Sequence, residues 1–181
     1  MDLGTADQLA RHYLDGLLGR LAHVRATGET ARNVAQRVCP DDELVLACAG
    51  LMHDIGYSPA LSATGFHPLD GARWLRTLGE ERLSCLVAHH SGARWEAGVR
   101  GLSSELDEFP LEDSIAADVL TFADLTTGPR GDQVDIDQRI ADIRRRYPRE
   151  HPVTVALARS EPHLREVVAR VQGLLPAPLL N

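Results

Sequence analysis

The sequence predicts an all-α protein, on three observations. Apolar residues recur at helical spacing along most of the chain, and glycine or proline separates these stretches. No alternating run rich in β-branched residues requires a strand. The chain has 181 residues, of which 44% are hydrophobic. A chain of this size can form its own core without disulfides or a structural metal, so we expect one domain over residues 1–181.

The first three helices follow from apolar spacing and from the residues that interrupt it. Residues 5–18 carry leucine and tyrosine on one face, and residues 20–38 continue this pattern until a Cys-Pro pair breaks it. An aspartate can cap a third helix, residues 42–55, which stops at Gly56. Because this helix is apolar nearly all round, we expect it at the centre of the fold.

The remaining elements follow from the same reasoning. Residues 57–66 contain Ser, Pro, Thr and Gly without a helical stripe and are predicted to form a loop. Residues 93–110 have a mixed pattern with a short helical piece. Helices are predicted where the apolar spacing returns, at residues 67–78, 80–90, 111–125, 135–147 and 161–175. We expect the segment from about 130 to 176 to pack on the other helices or to form a homodimer contact.

The charged residues exclude several classes of function. All 19 basic residues are arginine, and the absence of lysine excludes Schiff-base chemistry, pyridoxal phosphate attachment and a Walker-type phosphate loop. The formal net charge of -7 argues against a nucleic-acid scaffold. No signal-like segment or apolar run of about 18 residues is present, so we expect a cytoplasmic protein without a membrane partner. The three cysteines form no CxxC pair and are expected to be reduced core residues.

Histidine and aspartate on the most apolar helices are the main functional signal. A charged or imidazole group at a buried position costs several kcal/mol unless it is paired or binds a metal. Each such residue alone is more often a hydrogen-bonded core residue, but the whole set indicates a metal site. In chain order the set is His23, His53, Asp54, His67, His89, His90 and Asp124.

The order of these residues resembles the HD superfamily of metal-dependent phosphohydrolases. Its signature, H…HD…D, would here be His23, His53, Asp54 and Asp124, within residues 20–127. The resemblance implies an HD-domain helical bundle in which these four residues hold one metal ion.

The further histidines resemble the additional ligands of the two-metal branch of that superfamily. They are His67 in GFHPLDGA and the pair His89-His90 in VAHHSGA, with Asp54 expected to bridge the two ions. Nitrogen and oxygen ligands without thiolate suit Fe, Mn, Ni, Co or Zn. The resemblance implies two divalent transition-metal ions and a metal-bound hydroxide that attacks a phosphate ester. The expected partner is a small phosphorylated substrate such as a nucleotide.

A phosphate substrate also needs cations, and arginine is the only one that this chain can supply. We expect Arg94, four residues after His90 in a glycine-flanked segment, to act with Asp54 in catalysis. Arg73 and Arg20 are the next candidates.

Three alternatives stay open. The chain also resembles mixed-valent di-iron oxygenases, which are built on the same scaffold and carry ligands in the order H…HD…H…H…D. Those enzymes hold anionic substrates with a lysine, which this chain lacks. A non-catalytic, metal-dependent regulatory module would keep the same ligands. If His67 or His90 were held away from the ions, only one metal would remain. The cyclic-dinucleotide phosphodiesterase branch is disfavoured, because HHSGARWEAGVRG lacks the glycine-tyrosine-proline signature of that branch.

Overall fold

The computed structural model describes residues 1–176, and the predicted end of the domain at residue 181 lies outside them. The all-α prediction is confirmed: in the described part of the chain, the only β pairing is an isolated bridge between Thr127 and Gln133. The helices are α1 (Leu3–Tyr13), α2 (Leu18–Val38), α3 (Glu43–Met52), α4 (His67–Thr77), α5 (Glu81–His89), α6 (Ala93–Arg100), α7 (Ser103–Leu106), α8 (Ile115–Leu125), α9 (Ile136–Arg146) and α10 (Pro152–Leu174).

Helix α3 is the central helix, as its composition predicts. Every residue from Leu46 to Met52 is buried, and α3 packs along α2. The two helices meet at glycine: a Cβ on Gly50 would lie 2.5 Å from the Cα of Gly28. This backbone contact brings the end of α3 close to α2, and both helices carry predicted site residues.

The connection between α3 and α4 is held by buried polar groups. Asp70 is buried on α4 and accepts hydrogen bonds from the backbone N–H groups of Thr64 (2.9 Å) and Gly65 (3.1 Å). The Thr64 hydroxyl donates a further hydrogen bond of 2.8 Å to Asp70. These bonds satisfy a carboxylate that would be costly to bury alone. They also fix the loop that leads into His67, the first residue of α4.

The predicted helix boundary near residue 161 is wrong. Helix α10 begins at Pro152 and continues through Pro162 without a break. Pro152 stands in the first turn, where a missing N–H costs little, and Pro162 is on the exposed side. The buried stripe of α10 runs past Pro162 on the opposite face, from Ala156 to Val171, and its burial outweighs the hydrogen bond that proline removes.

Two further predicted boundaries change, and the first is the end of α1, which lies at Tyr13 rather than at residue 18. Helix α8 begins at Ile115 rather than at residue 111, because the Ser114 side chain caps it by accepting a hydrogen bond from the N–H of Ala117. The mixed segment 93–110 contains the two short helices α6 and α7. Across residues 1–176, no helix combines the length and the hydropathy that a membrane span requires.

Candidate metal centre

Six histidine and aspartate side chains converge at the centre of the fold. Different elements supply them: His23 from α2, His53 and Asp54 from the end of α3, His67 from the start of α4, His90 from the turn after α5 and Asp124 from α8. All are buried except His67, which is partly exposed. Their ligand atoms form three overlapping groups, each within 4.8 Å: His23, His53 and Asp54; His53, His90 and Asp124; and Asp54, His67 and His90.

Asp54 presents its two carboxylate oxygens to different histidines. Its Oδ2 lies 3.3 Å from Nε2 of His53 and 3.7 Å from Nε2 of His23. Its Oδ1 lies 3.2 Å from Nε2 of His67. Each oxygen can therefore face a separate cation, which is the arrangement that a bridging carboxylate requires.

Backbone carbonyls hold three of the imidazole rings. Nδ1 of His23 contacts the carbonyl of Gly128 at 3.0 Å, Nδ1 of His53 that of Gly50 at 2.8 Å, and Nδ1 of His90 that of Val87 at 2.6 Å. A carbonyl only accepts, so each Nδ1 must carry a proton and donate. In the neutral ring the lone pair is then on Nε2, which faces the centre, as in histidines that bind metals.

The unpaired Nε2 atom of His53 tests whether these residues fit a metal. It is buried and forms no hydrogen bond with the described residues, because its 3.3 Å contact with Oδ2 of Asp54 lacks hydrogen-bond geometry. Its ring is held only through Nδ1. A buried polar atom without a partner is costly unless something else satisfies it. Together with the nitrogen and carboxylate donors around it, this lone pair fits a transition-metal ion.

Both carboxylates are charged despite their burial. Burial alone raises the pKa of Asp54, but the Arg20 guanidinium and His53 outweigh it and hold that pKa well below its usual range. Burial is likewise outweighed at Asp124, where Arg139 contributes most and its Nη2 lies 2.9 Å from Oδ1. Metal ligation requires deprotonated carboxylates, and these two meet that requirement near neutral pH.

His90 is neutral in the same surroundings. Burial and the nearby rings of His53 and His67 lower its pKa to about 3. A neutral imidazole can coordinate a metal without first losing a proton.

The structure places two of the predicted site residues elsewhere. Nε2 of His89 lies 2.7 Å from the carbonyl of Phe109, and His89 belongs to none of the three ligand groups formed by the described residues. The guanidinium of Arg94 lies 4.0 Å from the ring centroid of Trp95, and both line a separate cleft. Neighbouring residues at a helix end point in different directions, so His90 reaches the centre and His89 does not.

The sequence favours Arg94 over Arg20 as the catalytic arginine, but in the structure Arg20 is the arginine that reaches Asp54. Its guanidinium donates to Oδ2 of Asp54 and lies 4.1 Å from the ring centroid of Tyr57. The Tyr57 ring stacks in turn on His67, with centroids 4.0 Å apart. Arg20, Tyr57 and His67 therefore form one packed group beside Asp54.

Sequence reasoning missed two residues that hold Asp124. Arg139 comes from α9, outside the segment that the ligand pattern marked, and its local sequence is that of a polar surface helix. Ser91 donates a hydrogen bond to Oδ2 of Asp124 and has a left-handed φ of 47°. An unusual backbone conformation of this kind often marks a functional position, but only the structure reveals it.

Four of the six side chains line a cleft. Asp54, His67, His90 and Asp124 line its inner end together with Arg20 and with Arg139 of α9, while residues of α10 form another wall. The inner end is therefore charged, whereas the wall that α10 supplies is largely apolar.

Comparison with known proteins identifies the family. The sequence model of the HD-domain family matches residues 20–143, and this range includes all six convergent side chains. No curated protein and no solved structure matched the chain. The chain belongs to the HD-domain superfamily of metal-dependent phosphohydrolases.

Proposed function

We propose that the protein is a metal-dependent phosphohydrolase that cleaves a phosphate ester of a small phosphorylated molecule such as a nucleotide. The observation that carries this proposal is the convergence of six histidine and aspartate ligands around Asp54, whose two oxygens face different histidines. Membership of the HD-domain superfamily supports the same reaction class.

The ligand geometry supports two sites that share Asp54. His23, His53 and Asp124 would complete one site, and His67 and His90 would complete the other. Two divalent ions of Fe, Mn, Ni, Co or Zn, when bound, would neutralise phosphate oxygens and lower the pKa of a coordinated water.

The charges of the chain also favour an anionic substrate. The carboxylates of Asp54 and Asp124 are each balanced by one guanidinium, from Arg20 and Arg139. Divalent ions bound at the same carboxylates would make the inner end of the cleft positive, although the whole chain carries a charge of -7. Arg20 is the better placed to bind phosphate, because its side chain is 24% exposed at the cleft, compared with 8% for Arg139.

Metal analysis and phosphate release test this function. We expect protein purified without chelator to contain close to two transition-metal ions per chain, because the ligand groups divide between two sides of Asp54. Metal-loaded protein should release phosphate from a panel of nucleotides and phosphomonoesters assayed with Mn, Ni and Fe. Chelation should abolish release, and restored metal should recover it.

The outcomes separate the alternatives. One ion per chain would contradict the two-metal arrangement, and metal-free protein that is still active would contradict the whole proposal. Oxygen consumption without ester hydrolysis would favour the di-iron oxygenase. Bound metal with neither reaction would favour a regulatory module.

Cytoplasmic location and a homodimer contact stay predictions.

Arg20→Gln is expected to lower kcat/KM for phosphate release by about 10- to 100-fold, which corresponds to losing one charged hydrogen bond. The change removes the cation that lies beside Asp54 and keeps a polar side chain of similar length. Arg144→Gln is the matched control, because Arg144 pairs with Glu161 on the surface and does not line the cleft. An Arg20 variant with normal metal content and unchanged kcat/KM would show that this residue does not bind the substrate.

A further inference from the structure

Helix α10 forms a wall of the cleft and lies beyond the part of the chain that the HD domain matches. It begins at Pro152, whereas the match ends at residue 143. The residues of α10 that line the cleft are Val153, Ala156, Leu157, Ser160 and Leu164. Most of them are three or four residues apart, so they share one face of the helix. The family pattern therefore explains the ligands at one end of the cleft but not this wall.

The wall formed by α10 presents apolar side chains rather than hydrogen-bonding groups. Ala156, Leu157 and Leu164 are apolar, and the hydroxyl of Ser160 donates to the carbonyl of Leu157 at 3.4 Å. Helix α9 adds the apolar side chain of Ile143 to the same cleft.

Two further charged residues line the cleft, Glu96 and Arg146, and each already forms an ion pair. Glu96 accepts a hydrogen bond of 2.7 Å from Arg100, and Arg146 pairs with Asp142 at 2.7 Å. A sugar hydroxyl that faced Ala156, Leu157 or Leu164 would find no hydrogen-bond partner on those side chains, and leaving polar groups unpaired weakens binding.

We infer that α10 determines substrate specificity, and that the organic group of the substrate packs an apolar face against Leu157 and its neighbours. The inference rests on the proposed phosphohydrolase function, because the charged end of the cleft would fix the phosphate and direct the rest of the ester towards α10. A nucleobase and a simple alkyl or aryl group both offer such a face, whereas a free sugar phosphate does not.

Three esters with alkyl-oxygen leaving groups test the preference: a nucleoside 5′-monophosphate, benzyl phosphate and ribose 5-phosphate. With the metal-loaded full chain, we expect kcat/KM for at least one of the first two to exceed that for ribose 5-phosphate by about tenfold or more. The better of the two identifies the apolar group as a nucleobase or a simple aromatic ring. Equal or faster cleavage of ribose 5-phosphate would overturn the inference.

Leu157→Ala tests the residue itself. We expect KM for the preferred ester to rise about tenfold with little change in kcat, and kcat/KM for ribose 5-phosphate to stay the same. Leu157→Met should retain the preference, because methionine fills a similar volume. Val168→Ala is the control on the same helix, since Val168 is buried but does not line this cleft. An equal rise in KM in the Val168 variant would show a structural effect and overturn the assignment.

A binding measurement separates this inference from the proposed reaction. Benzylphosphonate and methylphosphonate carry the same anionic group and are not hydrolysed as esters. We expect metal-loaded protein to bind benzylphosphonate about tenfold more tightly, and Leu157→Ala to lose that difference. This result would support the apolar wall even if no ester were cleaved. Ester cleavage without any preference, together with equal binding of the two phosphonates, would overturn the inference and leave the hydrolase intact.

Discussion

Asp54→Asn is expected to lose bound metal and to lower phosphate release by about a thousandfold or more, because in the proposed two-metal site Asp54 would be a ligand of both ions. The substitution keeps the shape of the side chain but removes its negative charge. One oxygen of Asp54 faces His53 and His23, and the other faces His67. The measurement is elemental analysis of metal per chain beside the rate of phosphate release.

The Asp54 experiment needs a folding control, because the substitution also removes the charged partner of Arg20. Thermal unfolding of the variant should still be cooperative, and its circular dichroism should stay helical. Asp118→Asn is the matched substitution, since Asp118 of α8 pairs with Arg170 of α10 at 2.6 Å and belongs to none of the ligand groups formed by the described residues. That variant should keep its metal and its activity. An Asp54 variant that retains two ions and full turnover would refute the bridging role.

Gly56→Ala is expected to destabilise the protein by about 3 kcal/mol or more, the upper part of the range for inserting an atom into a packed core. A Cβ on Gly56 would lie 2.1 Å from the carbonyl oxygen of His67 and 2.7 Å from the backbone nitrogen of Gly71. Both neighbours are backbone atoms of α4, so no side chain can rotate away. Helix α4 would have to move, and His67 would move with it.

Thermal unfolding and activity measure the Gly56 effect together. For a domain of this size the melting temperature should fall by roughly 6–12 °C for a loss of 3 kcal/mol. Phosphate release should fall even at temperatures where the variant is folded, because His67 is displaced. The control is Gly98→Ala in α6, where the nearest atom to the added Cβ is 3.8 Å away. This control should be neutral or slightly stabilising. A Gly56 variant that melts at the same temperature as the wild type would contradict the tight contact between α4 and the turn that follows α3.

The sequence by itself determined the fold class and much of the ligand set. Helical periodicity is a local property, so spacing and breaker residues marked most helices before any packing was known. The same pattern placed His53 and Asp54 at the end of the most apolar helix, which the structure shows buried at the centre. The main error, the boundary near residue 161, arose because a proline on an exposed face does not end a helix whose other face is buried along its whole length.

Which of two neighbouring side chains reaches the centre depends on how the helices pack. His89 and His90 are adjacent in the sequence, but α5 ends between them and the extended backbone at His90 sends its ring inward. Arg94 is close to the histidines along the chain, yet Arg20 and Arg139 reach the carboxylates from α2 and α9. These contacts join residues 15 to 34 positions apart. Local patterns hold no information about such distances, because they depend on how whole helices pack against one another.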